Sequence, residues 1–172
     1  PYSLTRDAQV QGVLEGQGVA FHTFKDHVIF ERQEVLTLAG KPYSVFTPYK
    51  NAWLKKLDGF YLKPYPVETY GAALAPLPAN AAHGVPSLAE LGFEVTNLST
   101  LKLPVGSQGG NALLEDFLGR MKMYRDTRDF PAIRGPSYLS VHLRFGTVSI
   151  RKLASAALAH QTGNEGAATW LG

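Results

Sequence analysis

A long stretch without helical or strand periodicity divides this chain of 172 residues. From Phe60 to Leu103 prolines and alanines accumulate, in KPYP and in APLPANAAHGVP. This composition is typical of a linker laid over a surface, because proline interrupts helices and sheets. Structureless loops of more than forty residues are rare in compact domains, so we expect the segment to pack on its neighbours. The predicted division is residues 1–59, a linker at 60–105, and residues 106–172.

The part before the linker has the pattern of an α/β unit. Residues 4–16 carry apolar side chains at helical spacing and predict a helix of about three turns. VAFHTF and KDHVIF, at 19–24 and 25–30, are short and rich in β-branched and aromatic residues, which predicts strands. One helix and two strands cannot cover both faces of a parallel sheet, so the rest of that sheet is expected upstream of Pro1. A further short helix is predicted after Pro48.

After Gly110 the pattern is helical. One amphipathic helix is predicted over 111–126, a short one over 141–145 capped by Ser140, and a third over 150–160 capped by Ser149. The third helix should bury a stripe of five apolar side chains: Ile150, Leu153, Ala154, Ala157 and Leu158.

Composition excludes several classes of protein. Hydrophobic residues make up 45% and charged residues 18%, which is enough apolar material for a core. There is no cysteine, so disulfides and thiolate chemistry are excluded. No apolar run could span a bilayer and no signal peptide is recognisable, so we expect an intracellular protein with no membrane partner. The five histidines have no metal-ligand spacing and predict no metal site: His22, His27, His83, His142 and His160.

Basic residues concentrate at 120–152. The window contains eight cations against Asp126 and Asp129: Arg120, Lys122, Arg125, Arg128, Arg134, Arg144, Arg151 and Lys152. These cations could meet phosphates, or they could be solvated and helix-end charges. The sequence leaves both interpretations open.

A candidate anion site lies inside this window. Gly135, Pro136, Ser137 and Ser140 directly precede a predicted helix, where backbone N–H groups and two hydroxyls can converge. Arg134 and Arg144 could add charge. An ordinary capped turn is the alternative. Tyr124 is equally open, because a tyrosine at the end of an apolar stripe is usually core with its hydroxyl at the rim.

Two motifs resemble a known family. The first is Thr5-Arg6-Asp7 followed by Gly40-Lys41-Pro42-Tyr43-Ser44-Val45-Phe46-Thr47-Pro48-Tyr49-Lys50-Asn51-x-Trp53. The second is Tyr124-x-x-x-Arg128-Asp129-x-Pro131, then Gly135-x-Ser137-x-Leu139-Ser140-x-His142-Leu143-Arg144-Phe145-Gly146-x-x-Ser149-x-Arg151. In this order, and separated by a proline-rich linker, they resemble the DNA photolyase and cryptochrome family, most closely its class I cyclobutane pyrimidine dimer photolyases.

The resemblance implies a fold and an organisation. The chain would contain the tail of a parallel, Rossmann-like α/β antenna domain, a long interdomain linker, and the first helices of a helical FAD-binding domain. It would be a central piece of a longer enzyme, with no catalytic residue of its own and no activity alone.

The resemblance also implies cofactors, partners and site residues. The cofactors are FAD and a second antenna chromophore, of folate or flavin type, bound mostly upstream. The partner is UV-damaged DNA, with Arg128 near its backbone, and the full-length protein would be a monomer in the cytoplasm, or in the nucleus of a eukaryote. The expected FAD-binding residues are Tyr124, Pro136, Ser137, Tyr138, Leu139 and Ser140. Pro136 departs from the family's usual threonine and removes one hydroxyl and one N–H.

Three functions follow as hypotheses. The leading one is a light-driven flavoprotein that splits pyrimidine dimers flipped out of DNA by electron transfer from reduced FAD. The second is a cryptochrome-like blue-light photoreceptor. The third is a non-enzymatic nucleic-acid-binding module that uses only the basic window.

Overall fold

The computed structural model describes residues 2–78 and 84–172, apart from the side chain of Ser99. Residues 79–83, which include His83 and part of the predicted linker, lie outside the described residues. The described α-helices are α1 Tyr2–Glu15, α2 Phe46–Lys56, α3 Gly59–Leu62, α4 Gly106–Arg120, α5 Tyr124–Thr127, α6 Ser140–Phe145, α7 Ile150–His160 and α8 Glu165–Leu171. Short 3₁₀ helices cover Val67–Ala73, Asn97–Leu101 and Met121–Met123.

The strands predicted at 19–24 and 25–30 are wrong for the structure, which contains no strand among its described residues. A strand needs a neighbouring strand with which to form a ladder of hydrogen bonds, and residues 19–30 have no such neighbour in the described part of the chain. Ile29 and Phe30 are instead buried against helices, with Phe30 packed edge-on to Trp53 at 5.6 Å between ring centres. Two of the β-branched and aromatic side chains at 19–30 thus enter a helical core, whereas Val19, Phe24 and Val28 are exposed.

The helix predicted at 4–16 is confirmed as α1, but its apolar stripe is not a buried face. Leu4 and Val13 are more than half exposed, and α1 buries no residue. By contrast α7 has the predicted bounds, and Ser149 caps it by accepting a hydrogen bond from the N–H of Lys152 at 3.5 Å. The helix predicted after Pro48 is confirmed as α2, although it begins two residues before the proline.

The single helix predicted over 111–126 is broken into α4, a 3₁₀ turn and α5. The break lies where α8 packs onto the chain. A Cβ atom at Gly166 of α8 would lie only 2.7 Å from the carbonyl oxygen of Lys122, so the two backbones are in direct contact. The apolar pattern continues through the break because Met121 is buried at 1% exposure.

Ser140 was predicted to be the N-cap of α6, and this prediction is wrong. The helix begins at Ser140 itself, its N-cap is Leu139, and no side chain caps it. The helix begins one residue earlier than the hydroxyl pattern suggested, because the N–H of Leu143 donates to the carbonyl oxygen of Leu139.

Three small apolar clusters replace one large core. One joins the first half of the chain to α7 through Ile29, Phe30, Leu62 and Ala154. The other two are formed by α4, α6, α7 and α8 with the turns between them. The accessible surface is 13671 Å², against about 8,300 Å² for a compact monomer of this mass. The chain is therefore open in shape.

The basic residue Arg151 connects distant parts of the chain. It is 5% exposed and donates to the carbonyl oxygens of Asp26 at 3.0 Å and Val28 at 3.4 Å. Its guanidinium lies 4.8 Å from the ring centre of Tyr65 in the predicted linker. The linker packs only at its start, at Tyr61, Leu62 and Tyr65, and is otherwise exposed where it is described.

An ion pair holds the loop before α2. Lys25 Nζ lies 2.6 Å from Glu34 Oε2, and Lys56 donates to the carbonyl oxygen of Glu34. The hydrogen bond from Lys25, reinforced by the N–H of Glu31, lowers the pKa of Glu34 below its usual value.

None of the helices in the described ranges is long and apolar enough to cross a bilayer.

Candidate functional site

The candidate site is the turn of residues 134–139 that leads into α6. Gly135 is buried, and its N–H donates to the carbonyl oxygen of Ile133 at 2.7 Å. A Cβ atom at this position would lie 2.5 Å from the carbonyl oxygen of Thr127, so only glycine fits without movement of the backbone. Tyr138 has a left-handed backbone with φ of 57°, which is uncommon for a residue with a side chain.

One arginine from α4 binds this turn. Arg120 Nη1 donates to the carbonyl oxygens of Arg134 at 2.6 Å and Gly135 at 2.8 Å, and its Nη2 donates to that of Pro136 at 2.8 Å. The third nitrogen, Nε, donates to Asp116 Oδ2 at 3.0 Å. The guanidinium also lies over the rings of Phe117 at 5.2 Å and Tyr138 at 5.8 Å.

The start of α6 presents free hydrogen-bond donors. Its first backbone bond runs from the N–H of Leu143 to the carbonyl oxygen of Leu139, so the N–H groups of residues 140–142 have no partner within the helix. Ser140 is exposed and Ser137 is half-buried, while Leu139 is buried. The structure therefore brings the two predicted hydroxyls to one turn, with Leu139 anchored in the core.

A buried histidine of α6 packs against α4. His142 is 4% exposed, and its Nδ1 lies 2.7 Å from Thr147 Oγ1. The ring packs against Gly110 of α4, where a Cβ atom would lie 3.1 Å from Nδ1. His142 therefore has a structural role. Among the described residues no three His, Cys, Asp or Glu side chains form a group that could hold a metal ion.

An apolar cavity adjoins the turn at Ser137. Its volume is about 240 Å³, and its walls include Trp53 of α2 and Trp170 of α8. Trp170 also packs on Phe117, with ring centres 4.7 Å apart. Trp170 was not among the predicted site residues, although its place in an apolar run after the helix-capping Asn164 is a signal in the sequence.

Tyr124 and Arg128 lie apart from the apolar cavity at Ser137. Tyr124 is half-buried and packs edge-on against Phe117 at 5.7 Å, which is the core position that the pattern left open. Arg128 lies 6.0 Å from the ring centre of Tyr124, and its Nε is 3.6 Å from Asp129 Oδ1. It lines a second cavity of about 430 Å³ together with Lys50 and Arg125. Of the predicted FAD residues, Ser137 lines the apolar cavity, whereas the predicted DNA residue Arg128 lines the second cavity and contacts Tyr124.

Much of the basic window binds the protein itself. Arg120 and Arg151 donate to backbone carbonyl groups, and Lys152 donates to Asn111 at 2.7 Å. Arg125 pairs with Glu165, and Arg134 pairs with Asp116 at 3.1 Å. Internal carbonyl acceptors were not foreseen, because sequence alone does not show which arginine meets a turn.

Comparisons with known proteins identify the family. The family model for DNA photolyase matches residues 1–71. The deoxyribodipyrimidine photo-lyase of Halobacterium salinarum is 38% identical over 157 residues, which is 90% of this chain and 31% of that protein. Cryptochrome-1 of Arabidopsis thaliana is 30% identical over 161 residues, which is 89% of this chain and 22% of that protein.

The fold agrees with these matches. A crystal structure of a bacterial class III photolyase from Agrobacterium tumefaciens superposes with a TM-score of 0.72 at 24% identity, covering 91% of this chain and 32% of that one. The chain belongs to the DNA photolyase and cryptochrome family. It spans about a third of the length of the photolyase relatives that it matches.

The contact at Gly135 can be tested. Gly135→Ala should lower the free energy of unfolding by about 1–3 kcal/mol, because the added methyl group meets the Thr127 carbonyl group. Gly119→Ala in α4 is the matched control: nothing lies within 4 Å, and it should stabilise by up to about 1 kcal/mol. Urea denaturation of the intact protein measures both. Equal effects would refute a tightly packed turn.

Proposed function

We propose that this chain is part of a light-driven DNA repair flavoprotein that splits cyclobutane pyrimidine dimers. The observation that carries the proposal is the turn at 134–139, which contains Ser137 and is followed directly by Ser140, and which is built from the residues that resemble the family's flavin motif. Because the chain spans about a third of its photolyase relatives, the activity belongs to the whole protein. We also propose the division into residues 1–59, a linker at 60–105 and residues 106–172.

The chemistry of the turn fits FAD. Ser137 borders an apolar cavity with a tryptophan wall, which suits an aromatic ring system, and Ser140 offers an uncapped hydroxyl beside free N–H groups, which suits a phosphate. Leu139, Tyr138 and Pro136 would complete the contact, and Tyr124 would border it from beyond Phe117. When bound, reduced FAD supplies the electron that opens the dimer. This chain's own residues would bind and orient the cofactor.

Pro136 is compatible with this assignment. It lacks the N–H that the family's usual threonine would offer, but its carbonyl oxygen is bound by Arg120 at 2.8 Å. The turn therefore keeps its shape with a proline, and the remaining donors at Ser137 and Ser140 would hold the phosphates.

The serine assignment predicts a loss of cofactor. Ser137→Ala combined with Ser140→Ala in the intact protein should weaken FAD binding by about tenfold or more, since each hydrogen bond to a charged group contributes about 1.5–3 kcal/mol. FAD fluorescence on release gives the affinity. Ser155→Ala, an exposed serine of α7, is the control and should leave it unchanged. Retention of FAD as tight as in the wild type would refute the assignment.

Arg128 is proposed as a contact to the DNA backbone. Its side chain is 44% exposed, and the cavity that it lines carries three cations, Lys50, Arg125 and Arg128, against one carboxylate, Glu165, which pairs with Arg125. The cavity wall therefore keeps an excess of positive charge. Such charges bind phosphates without reading sequence. UV-damaged DNA would be the physiological partner of the whole protein.

Arg128→Ala should lower the affinity for damaged and undamaged DNA alike. The slope of log affinity against log salt should become shallower by about one, because one phosphate contact is lost. Arg6→Ala, which removes an exposed arginine paired with Asp7, is the charge-matched control. A loss confined to damaged DNA would contradict a backbone role.

A cryptochrome-like photoreceptor is the second candidate, and the match to Cryptochrome-1 favours keeping it. It would bind FAD at the same turn and signal without repairing DNA. A flavin-free nucleic-acid module has less support, because Arg120 and Arg151 are used inside the protein. A second antenna chromophore, a monomeric state and a cytoplasmic or nuclear location complete the proposal for the whole protein.

A further inference from the structure

Arg120 differs from the other cations of its region in what it binds. Its side chain is 20% exposed, and three of its donated hydrogen bonds go to three successive carbonyl groups, at residues 134, 135 and 136. A guanidinium holds its five N–H donors in one rigid plane, so three carbonyl groups bound to it are fixed relative to one another. No residue with a single donor could impose this geometry.

The carbonyl directions determine where the N–H groups of the turn point. In a trans peptide the C=O and the N–H point in opposite directions. Because the carbonyl group of Pro136 points to Arg120, the N–H of Ser137 in the same peptide points away from the guanidinium. Arg120 thereby sets the direction of the one donor that the Pro136–Ser137 peptide can offer to a ligand.

Proline at position 136 makes this dependence stronger. The peptide between Gly135 and Pro136 has no N–H, so its only hydrogen-bonding group is the Gly135 carbonyl, which Arg120 binds at 2.8 Å. The ring of Tyr138, whose backbone is left-handed, also lies against the same guanidinium. Arg120 therefore contacts Pro136 and Tyr138, the two residues that flank Ser137 in the sequence.

We propose that Arg120 is a positioning residue that orients the turn toward the diphosphate of FAD. It acts through the carbonyl groups of residues 134–136, and it does not need to touch the cofactor. The inference rests on the proposed function of the turn as the FAD site.

The test compares three variants of the intact protein. Arg120→Gln removes the planar fork, Arg120→Lys keeps the charge with a single nitrogen, and Lys122→Gln removes an exposed charge from the next turn. The measurements are the FAD dissociation constant, the ³¹P NMR shifts of bound FAD, and the melting temperature without FAD. The ³¹P shifts report the surroundings of the diphosphate, which a general loss of stability would not alter.

We expect Arg120→Gln to weaken FAD binding at least tenfold and to move the ³¹P shifts. Arg120→Lys should have an intermediate effect, and Lys122→Gln none. If Arg120→Gln does not fold, the Lys variant decides. If the variant that folds keeps the ³¹P shifts of the wild type, and a lower melting temperature explains any loss of FAD, Arg120 does not position the turn. That result would overturn the positioning role and leave the FAD site standing. A wild-type protein that binds no FAD would overturn both.

Discussion

The guanidinium of Arg120 holds the candidate site together. It joins the end of α4 to three carbonyl groups of the turn before α6, and its remaining contacts reach Asp116 and the ring of Phe117. Phe117 is fully buried and in turn contacts Tyr124 and Trp170. The side-chain pair Arg120 and Phe117 therefore connects the turn to Trp170 in the cavity wall and to Tyr124, which lies beside Arg128.

A second constraint is the close approach of backbones at glycine. Gly166 allows α8 to pack directly on the break between α4 and α5, and Gly135 allows the turn to lie on Thr127. Arg151 then attaches residues 26–28 to α7 across more than one hundred positions of sequence. With only small apolar clusters available, these polar and backbone contacts carry much of the specificity of the fold.

The sequence predicted what depends on local pattern. The bounds of α7 and its Ser149 cap were correct because the stripe and the cap are neighbours in sequence. The break after Arg120 was missed, because it depends on α8 more than forty residues away. The strands at 19–30 were wrong because β-branched composition does not specify whether a sheet or a helix covers it. The sequence motif predicted Ser137 and Ser140 as site residues, whereas the contacts of Arg120 with three carbonyl groups could be found only in the structure.

In this structure the family motif corresponds to a turn that is held by an arginine, lies next to an aromatic cavity and carries two serines. The most direct test of the proposed repair function is light-dependent splitting of the dimer. The intact protein, with its flavin reduced, is illuminated with blue light in the presence of an oligonucleotide that contains a cyclobutane dimer, and the recovery of thymine absorbance is followed. Recovery in light but not in darkness is the result expected of a photolyase. A protein that holds one FAD per chain and splits no dimer would contradict the photolyase proposal and favour the photoreceptor.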